Sequence, residues 1–510
     1  MLKTSFKNLS WDFYSKLIII VYALLQILRW RFFPQFLDMH YHILTAWGFI
    51  QAGGYSGWDF WQYAPFGRPH IYPPFFHILL AFLIKSGASK IILAKLFEAV
   101  APILFFLTLW QVIRRNFSHR LAFFTLLAAS SSFSFYLSLI NNIPATLAII
   151  LGLFIFDRLL KKEFLRPLLL LTLCFYTHIG ISWLIAITLL LYGLFDKEYR
   201  KPCLRIFLGA LILSSPILFK QLSALKFLSR AGGYEKYFCE FKTIDYLLAL
   251  LGVILVFKRE KKYRLFLGLF LASLVFLLYP YRFFSAQGYL PIIFLAAFSL
   301  DFLYEISRNK KAHLRCLPYV LGCYILFLSP TLLMEKPNRQ KGIVYKVYFA
   351  DSALTDMMFP ARNKRMASTS LWFAGDYLSA AEIIRNNSKD GDIIYATLRP
   401  VGVSLGGISG RATASALFPE IGPVKKFDPV EVSAIIITTR YDNPQWLSYI
   451  VGKYSLVKLG ENKLFVLYKN PAPSVSVRIK KASLPFWLIW CIGSVFMLLY
   501  WKGPLSSRRK

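Results

Sequence analysis

Three groups of residues have types and spacing that suit chemistry. FLDMHYH places Asp38, His40 and His42 together, and an acid two residues from an imidazole can hold a metal, act as a general base, or cap the helix that HYHILTAWGFI would form. A second group follows in GWDFWQYAPFGRPHIYPPFFH, where Asp59, Arg68, His70 and His77 stand among aromatics and prolines. Such residues anchor and turn a chain at a membrane surface; the alternative is a groove for an amphipathic, lipid-linked ligand. The third is Arg282, in LLYPYRFFSAQGYLP between two apolar stretches. A planar guanidinium at headgroup depth suits bidentate capture of a phosphate or diphosphate, or it snorkels to the headgroups themselves. The segment 220–243 and its edge add Lys226, Arg230, Glu235, Lys236, Glu240 and Asp245, a density of charge that ordinarily marks a solvated loop. No Walker A, G-x-G-x-x-G or G-x-S-x-G string occurs, and no His/Cys/Asp cluster has zinc spacing, so nucleotide binding and serine hydrolysis find no support.

The elements that must position these groups follow from composition. The 510 residues include 60 Lys and Arg against 26 Asp and Glu, a formal charge of +34, with 56% apolar and only 17% charged residues. A soluble domain carries about a quarter charged residues, and a nucleic-acid binder would show its excess base on a polar background. An α-helical polytopic membrane protein is the class that remains, its cations setting topology and meeting lipid phosphates; nucleic acid is not an expected partner. Apolar runs cover 17–28, 91–113, 121–139, 143–160, 166–177, 179–195, 203–219, 244–257, 265–280, 289–305, 316–334 and 485–501, about twelve spans. The segment 73–85 is short for a span and begins on two prolines, so it reads as an interfacial helix. That choice puts the dense basic clusters at Arg114/Arg115/Arg120, Arg158 to Arg166, Lys197 to Arg205, Lys258 to Arg264, Arg308 to Arg315 and the tail on the cytoplasmic side. Both termini are then cytoplasmic, with the cell membrane as the expected location.

The outer face receives a first loop at 29–90, turns at 140–142 and 281–288, the segment 220–243, and a region from 335 to 484. That region reads as a small extracytoplasmic α/β domain. Helical spacing runs over 376–388 and 444–454, strand-like runs cover 392–396, 433–439 and 463–468, and the Gly- and Ser-rich 402–410 reads as a loop. The expected division is a transmembrane domain over 1–334, the α/β domain over 335–484, and a final span with a basic tail over 485–510. Five of the six cysteines lie in or beside apolar runs, so disulfides are not expected.

This order of parts resembles the catalytic subunit of oligosaccharyltransferases, within the GT-C class of membrane glycosyltransferases. The features that carry the resemblance are one span, a long outer loop opening on an acid, a Tyr63-to-Pro74 segment of the form Y-x-P-x-G-x-x-x-x-x-P-P, a run of spans, Arg282-Phe283 at the start of a late span, and an outer C-terminal domain. It extends over about residues 10–425. It implies a polyprenyl-phosphate or polyprenyl-diphosphate sugar as donor, Asp38 as the first-loop aspartate that helps hold a divalent metal (Mg or Mn) and the acceptor, and Arg282 as the contact to the lipid-linked phosphate. Glu235 or Glu240 would stand where the family has an outer-loop glutamate, and 376–416 would be its soluble helix, strand and active-site loop. Two departures qualify the likeness. The W-W-D-Y-G motif that reads the acceptor is replaced by Thr397 to Gly402, and the second acidic motif is replaced by Ile140-Asn141-Asn142-Ile143. Neutral amides are poor substitutes for carboxylates on a hard cation.

The expected function is transfer of a sugar from the lipid-linked donor to an extracytoplasmic acceptor. Asp38 would be the general base, with Arg282, Arg68 and Arg230 on the donor phosphate and His40, His70, Asp59, Asn141 and Asn142 orienting the substrates. The alternative is a non-catalytic relative that binds a lipid-linked glycan or a partner protein.

Overall fold

In the computed structural model of the chain, the described residues are 10–30, 37–227, 239–308, 317–325, 330–335, 342, 344–348, 352–354, 374–417 and 421–502. They fall into two compact units. The first comprises 1–31, 99–215 and 232–368, and the second 32–98, 216–231 and 369–510. This partition cuts across the division at residue 334, because 32–98 group with 369–510.

The first unit is mainly helical. Trp11–Arg29 starts on Ser10, whose side chain accepts the Phe13 N–H, with Asp12 in the first turn. The apolar run 121–139 is two helices, His119–Ala129 and Phe133–Asn141, bent by 86°. Three serines cause the break: Ser130 Oγ donates to the Leu126 carbonyl at 2.8 Å, Ser131 Oγ to Ala128 at 2.7 Å, and Ser132 accepts the Phe135 N–H at 3.1 Å to restart the helix. The run 316–334 is likewise not one helix. Leu317–Cys323 is helical, but Thr331–Glu335 is the middle strand of an antiparallel sheet with Cys239–Lys242 and Val344–Tyr348. Among the described residues, five helices are long and apolar enough to cross a membrane, or six if the bent pair is one span; five further apolar helices are shorter, among them Phe75–Lys85, Leu165–Thr177 and Ile179–Phe195. Several of the twelve expected spans are thus realised as helices of less than full span length.

The second unit holds a five-stranded sheet in the order Val457–Glu461, Phe465–Lys469, Ile435–Thr439, Ile393–Ala396, Ala412–Thr413. Ile393–Ala396 runs parallel to both its neighbours, and the other pairings are antiparallel. The helices Ala374–Asn387 and Arg399–Ser409 cover it through Ala381, Ile384, Leu405, Ile435 and Leu467, all buried. The Gly- and Ser-rich 402–410 is therefore mostly helix rather than loop. Its glycines serve packing: a Cβ on Gly407 would lie 2.9 Å from the His40 carbonyl oxygen, and one on Gly406 2.9 Å from that of Arg411. Gly410, at φ +74°, then ends the helix in the left-handed conformation. The segment 54–64 is tied to the rest of this unit. The Thr413 N–H donates to the Trp61 carbonyl at 2.9 Å, the Ala64 N–H donates to Thr413 at 3.1 Å, and Gly54–Tyr55 pairs with Leu484–Pro485.

Candidate functional site

Each unit carries its own cluster of candidate residues. In the second unit, Asp38 lies in the first turn of the helix Leu37–Ala52, part-buried. It is thus inside the helix rather than its cap, where a carboxylate still favours the helix N-terminus. One turn on, Tyr41 feels both Asp38 and the Asp59–Arg68 pair; burial, then Asp59, pushes its phenol pKa up, with Asp38 adding to the rise.

Asp59 and Arg68 face each other across the short hairpin Trp58–Asp59/Arg68–Pro69. Arg68 Nε donates to Asp59 Oδ2 at 3.0 Å and its Nη1 to the Ile421 carbonyl at 2.8 Å, while Asp59 also accepts from the Gln62 backbone at 3.0 Å and side chain at 2.8 Å. Burial lifts the Asp59 carboxyl to about 6 against the opposing pull of Arg68. These two arginine donors are spent within the protein.

Beside this pair lies a histidine cluster. His42 Nδ1 and His77 Nε2 are 2.8 Å apart, sharing one hydrogen, and the His70 ring is centred 5.6 Å from that of His77. Phe49 and Tyr72 meet them edge-on, and Trp61 lies tilted against His70. His70 Nε2 and His77 Nδ1 are buried with no hydrogen-bond partner among the described residues. Burial, helped by Lys220, holds His70 well below the usual imidazole range, and burial alone takes His77 to about 3, so these two rings are neutral at physiological pH. His40 is buried on the same helix as His42, its carbonyl against Gly407. Lys220 donates to the Tyr55 hydroxyl at 2.5 Å.

In the first unit, Arg282 is part-buried on the short helix Pro280–Phe284, with its guanidinium 5.7 Å from the centre of the Tyr279 ring. Asn141 ends the helix Phe133–Asn141, and Asn142 caps the next, Ile143–Leu160. His178 stands between Leu165–Thr177 and Ile179–Phe195 and caps the latter. Asn142 Nδ2 lies 3.5 Å from His178 Nε2, and Arg282 is close enough to act electrostatically on His178. Glu240 is buried on the strand Cys239–Lys242, opposite Leu333, with its N–H donating to Ser285 Oγ at 2.8 Å. Glu235 and Arg230 lie outside the described residues. Sequence reasoning missed His178, although a lone histidine between two apolar runs is a signal for it. It also undervalued Asp245, which accepts from Ser131 at 2.6 Å and from the Tyr289 hydroxyl, both buried.

No family model matches the chain, and no curated protein sequence does. Solved structures do. The apo oligosaccharyltransferase of Archaeoglobus fulgidus superposes with a TM-score of 0.60 over 93% of this chain and 76% of its own, at 10% identity. The oligosaccharyltransferase AglB from the same organism, with an inhibitory peptide and a dolichol-phosphate, gives 0.57 over 91% and 75%, at 11% identity. ArnT of Cupriavidus metallidurans in its apo state, another GT-C glycosyltransferase, gives 0.52 over 90% and 97%, at 11% identity. The chain has the GT-C fold. At such identities the likeness speaks for architecture, and it is the architecture that the apolar helices and the order of parts resemble.

The GT-C relatives that the sequence most resembles imply a divalent metal. Among the described residues, no group of three or more His, Cys, Asp or Glu side chains is placed to hold one. In the first unit, the position of the second acidic motif offers amides, an imidazole and a guanidinium, a donor set that does not fit a hard cation.

Proposed function

We propose that this GT-C-fold chain is an integral-membrane glycosyltransferase that moves a sugar from a polyprenyl-phosphate or polyprenyl-diphosphate donor to an acceptor on the extracytoplasmic side. The observation that carries the reading is Arg282, a cation close enough to His178 to act on it electrostatically on this fold and suited to a phosphate leaving group. In the reaction, Asp38 takes the proton of the acceptor hydroxyl or amide as the acceptor atom attacks the anomeric carbon in line. The bond from that carbon to the phosphate oxygen breaks, configuration inverts, and the electron pair stays on the lipid phosphate, whose charge Arg282 stabilises. The dolichol-phosphate bound to the A. fulgidus enzyme supports this donor class.

The test is transfer of radiolabelled sugar from a set of polyprenyl-phosphate sugars in membranes containing the full chain. Activity that falls in both Asp38→Asn and Arg282→Ala supports the assignment, and wild-type transfer by both variants would sink it. The replaced acceptor-reading motif at 397–402 favours one second reading, a relative that binds the lipid-linked glycan without transferring it; that reading predicts donor binding with no turnover on any acceptor.

A further inference from the structure

Two N–H donors meet at the end of the helix Arg399–Ser409. A Cβ on Gly410 would lie 3.1 Å from Lys90 Nζ and 3.3 Å from Trp47 Nε1, so both nitrogens border the space that this glycine, at φ +74°, leaves open. Among the described residues, Lys90 makes no hydrogen bond or ion pair, and the Trp47 indole N–H makes no hydrogen bond. Trp47 is only 9% exposed, and an indole N–H withdrawn from water ordinarily finds an acceptor. Lys90 is half-buried, and the charged groups that act on it, Arg385 and Arg411, are cations as well. Arg385 is exposed to water, and Arg411 has its own anion, with Nη1 3.0 Å from Asp390 Oδ1; Lys90 has neither, and a cation withdrawn from water without an anion is costly. A cation favours a helix C-terminus, but two of the carbonyls there are taken by other donors. Gly406 accepts from the Gly410 N–H at 2.9 Å and the Arg411 N–H at 3.0 Å, and Gly410 accepts from Arg411 Nη1 at 3.0 Å.

We infer that Lys90 Nζ and Trp47 Nε1 form a binding site for a carboxylate, supplied by an acidic saccharide or by the C-terminus of a peptide. One ammonium and one neutral N–H match a single negative charge spread over two oxygens, each oxygen accepting from one donor. A phosphate monoester would bring about two charges and a third oxygen, for which the pair has no donor. The site is separate from the proposed catalytic base. His40, Leu44 and Trp47 form one stripe of the helix Leu37–Ala52, facing Gly406, Gly407 and Gly410. Asp38 precedes Trp47 by about two and a half turns and so lies on the opposite face. The inference therefore does not depend on the proposed transfer reaction.

The experiment titrates the purified full chain in nanodiscs, isotope-labelled at its tryptophan indole nitrogens, with D-glucuronate and with N-acetylglycine; D-glucose and N-acetylglycinamide are the uncharged controls. The Trp47 signal is assigned from its loss in Trp47→Phe. A carboxylate is expected to shift that indole signal and to raise the thermal midpoint of the wild-type chain, and the uncharged controls to do neither. Lys90→Gln should weaken carboxylate binding about 10-fold or more, and Lys90→Arg should keep most of it. Binding of glucuronate alone identifies an acidic saccharide and binding of N-acetylglycine alone a peptide C-terminus, and either supports the site. Because Lys90→Gln removes a cation that has no anion of its own, its ligand-free midpoint should equal or exceed that of wild type. A ligand-free midpoint that falls in Lys90→Gln assigns Lys90 a structural role and overturns the site. Binding of neither carboxylate, binding matched by the uncharged controls, tighter binding of inorganic phosphate, or carboxylate affinity unchanged in Lys90→Gln overturns it as well.

Discussion

Arg68 and Asp59 form an ion pair withdrawn almost wholly from solvent, with Nε to Oδ2 at 3.0 Å and side-chain exposures of 6% and 2%. The arginine also holds the Ile421 carbonyl, so one side chain links the hairpin at 58–69 to the C-terminal part of its own unit. Removing one partner of a buried pair leaves the other charge uncompensated, which costs about 3–5 kcal/mol. Arg68→Met is therefore expected to destabilise this unit by that order, seen as a lowered thermal midpoint and as increased hydrogen exchange over 54–70 and around residue 421. A paired Asp59→Asn/Arg68→Met variant should recover much of the loss, because no charge is then left buried alone.

Gly407 marks a close approach of the helices Leu37–Ala52 and Arg399–Ser409. A methyl there would meet the His40 carbonyl oxygen at 2.9 Å and the Leu44 nitrogen at 3.5 Å, and neither backbone can yield without moving a helix. Gly407→Ala is expected to cost about 1–3 kcal/mol. Gly452, in the helix Pro444–Lys453, has nothing within 4 Å of its virtual Cβ, so Gly452→Ala should stabilise by up to about 1 kcal/mol through helix propensity. Opposite shifts of the thermal midpoint for two identical chemical changes would test the packing directly.

The histidine cluster predicts acid lability with a definite sign. His70 and His77 have folded pKa values below the imidazole reference of 6.5, so below that pH the unfolded chain binds protons that the folded chain does not. Their contribution is complete above pH 6.5 and is lost as pH falls, with a limiting slope of about 1.4 kcal/mol per pH unit for each histidine. Asp59 acts in the opposite direction: lifted to about 6, it binds protons more readily when folded and favours the folded state as pH falls from 6 towards 4. The net expectation is a thermal midpoint that drops between pH 6.5 and 5.5, and drops less in His70→Phe. A midpoint independent of pH over that interval would show that the cluster charges freely in the folded state.

How much of this was legible in the sequence depended on the range of the interaction responsible. The helix at 376–388 and the strand at 433–439 were readable because local periodicity matches the buried face, as Ala381, Ile384, Ile435 and Ile437 show. Segment 402–410 was misread because Gly and Ser are loop-like locally, while the contact that demands glycine comes from His40, more than 360 positions away. The break in 121–139 escaped an average over apolar residues, though three consecutive serines cause it. In the candidate site, Asp38 and Arg282 were visible as charged residues next to apolar runs. The approach of Asn142 to His178 was not, since it depends on two helix caps meeting across 36 positions, and nothing in either segment alone encodes that meeting.

The proposed roles of Asp38 and Arg282 make separable kinetic predictions. A general base acts on the proton of the acceptor in the transition state and contributes about 10²–10⁴ in rate, without contact to the lipid phosphate. Asp38→Asn preserves shape in the first turn of Leu37–Ala52 and should lower kcat by that range while leaving the Kd for geranylgeranyl monophosphate within about twofold. Arg282→Lys keeps the charge but loses the planar fork, so it should weaken phosphate binding and also lower kcat, because the charge on the leaving phosphate grows as the glycosidic bond breaks. Single-turnover transfer alongside equilibrium binding distinguishes the two patterns. An Asp38→Asn variant that turns over at the wild-type rate would remove the base from the mechanism, and the acceptor proton would then have to be taken by another group.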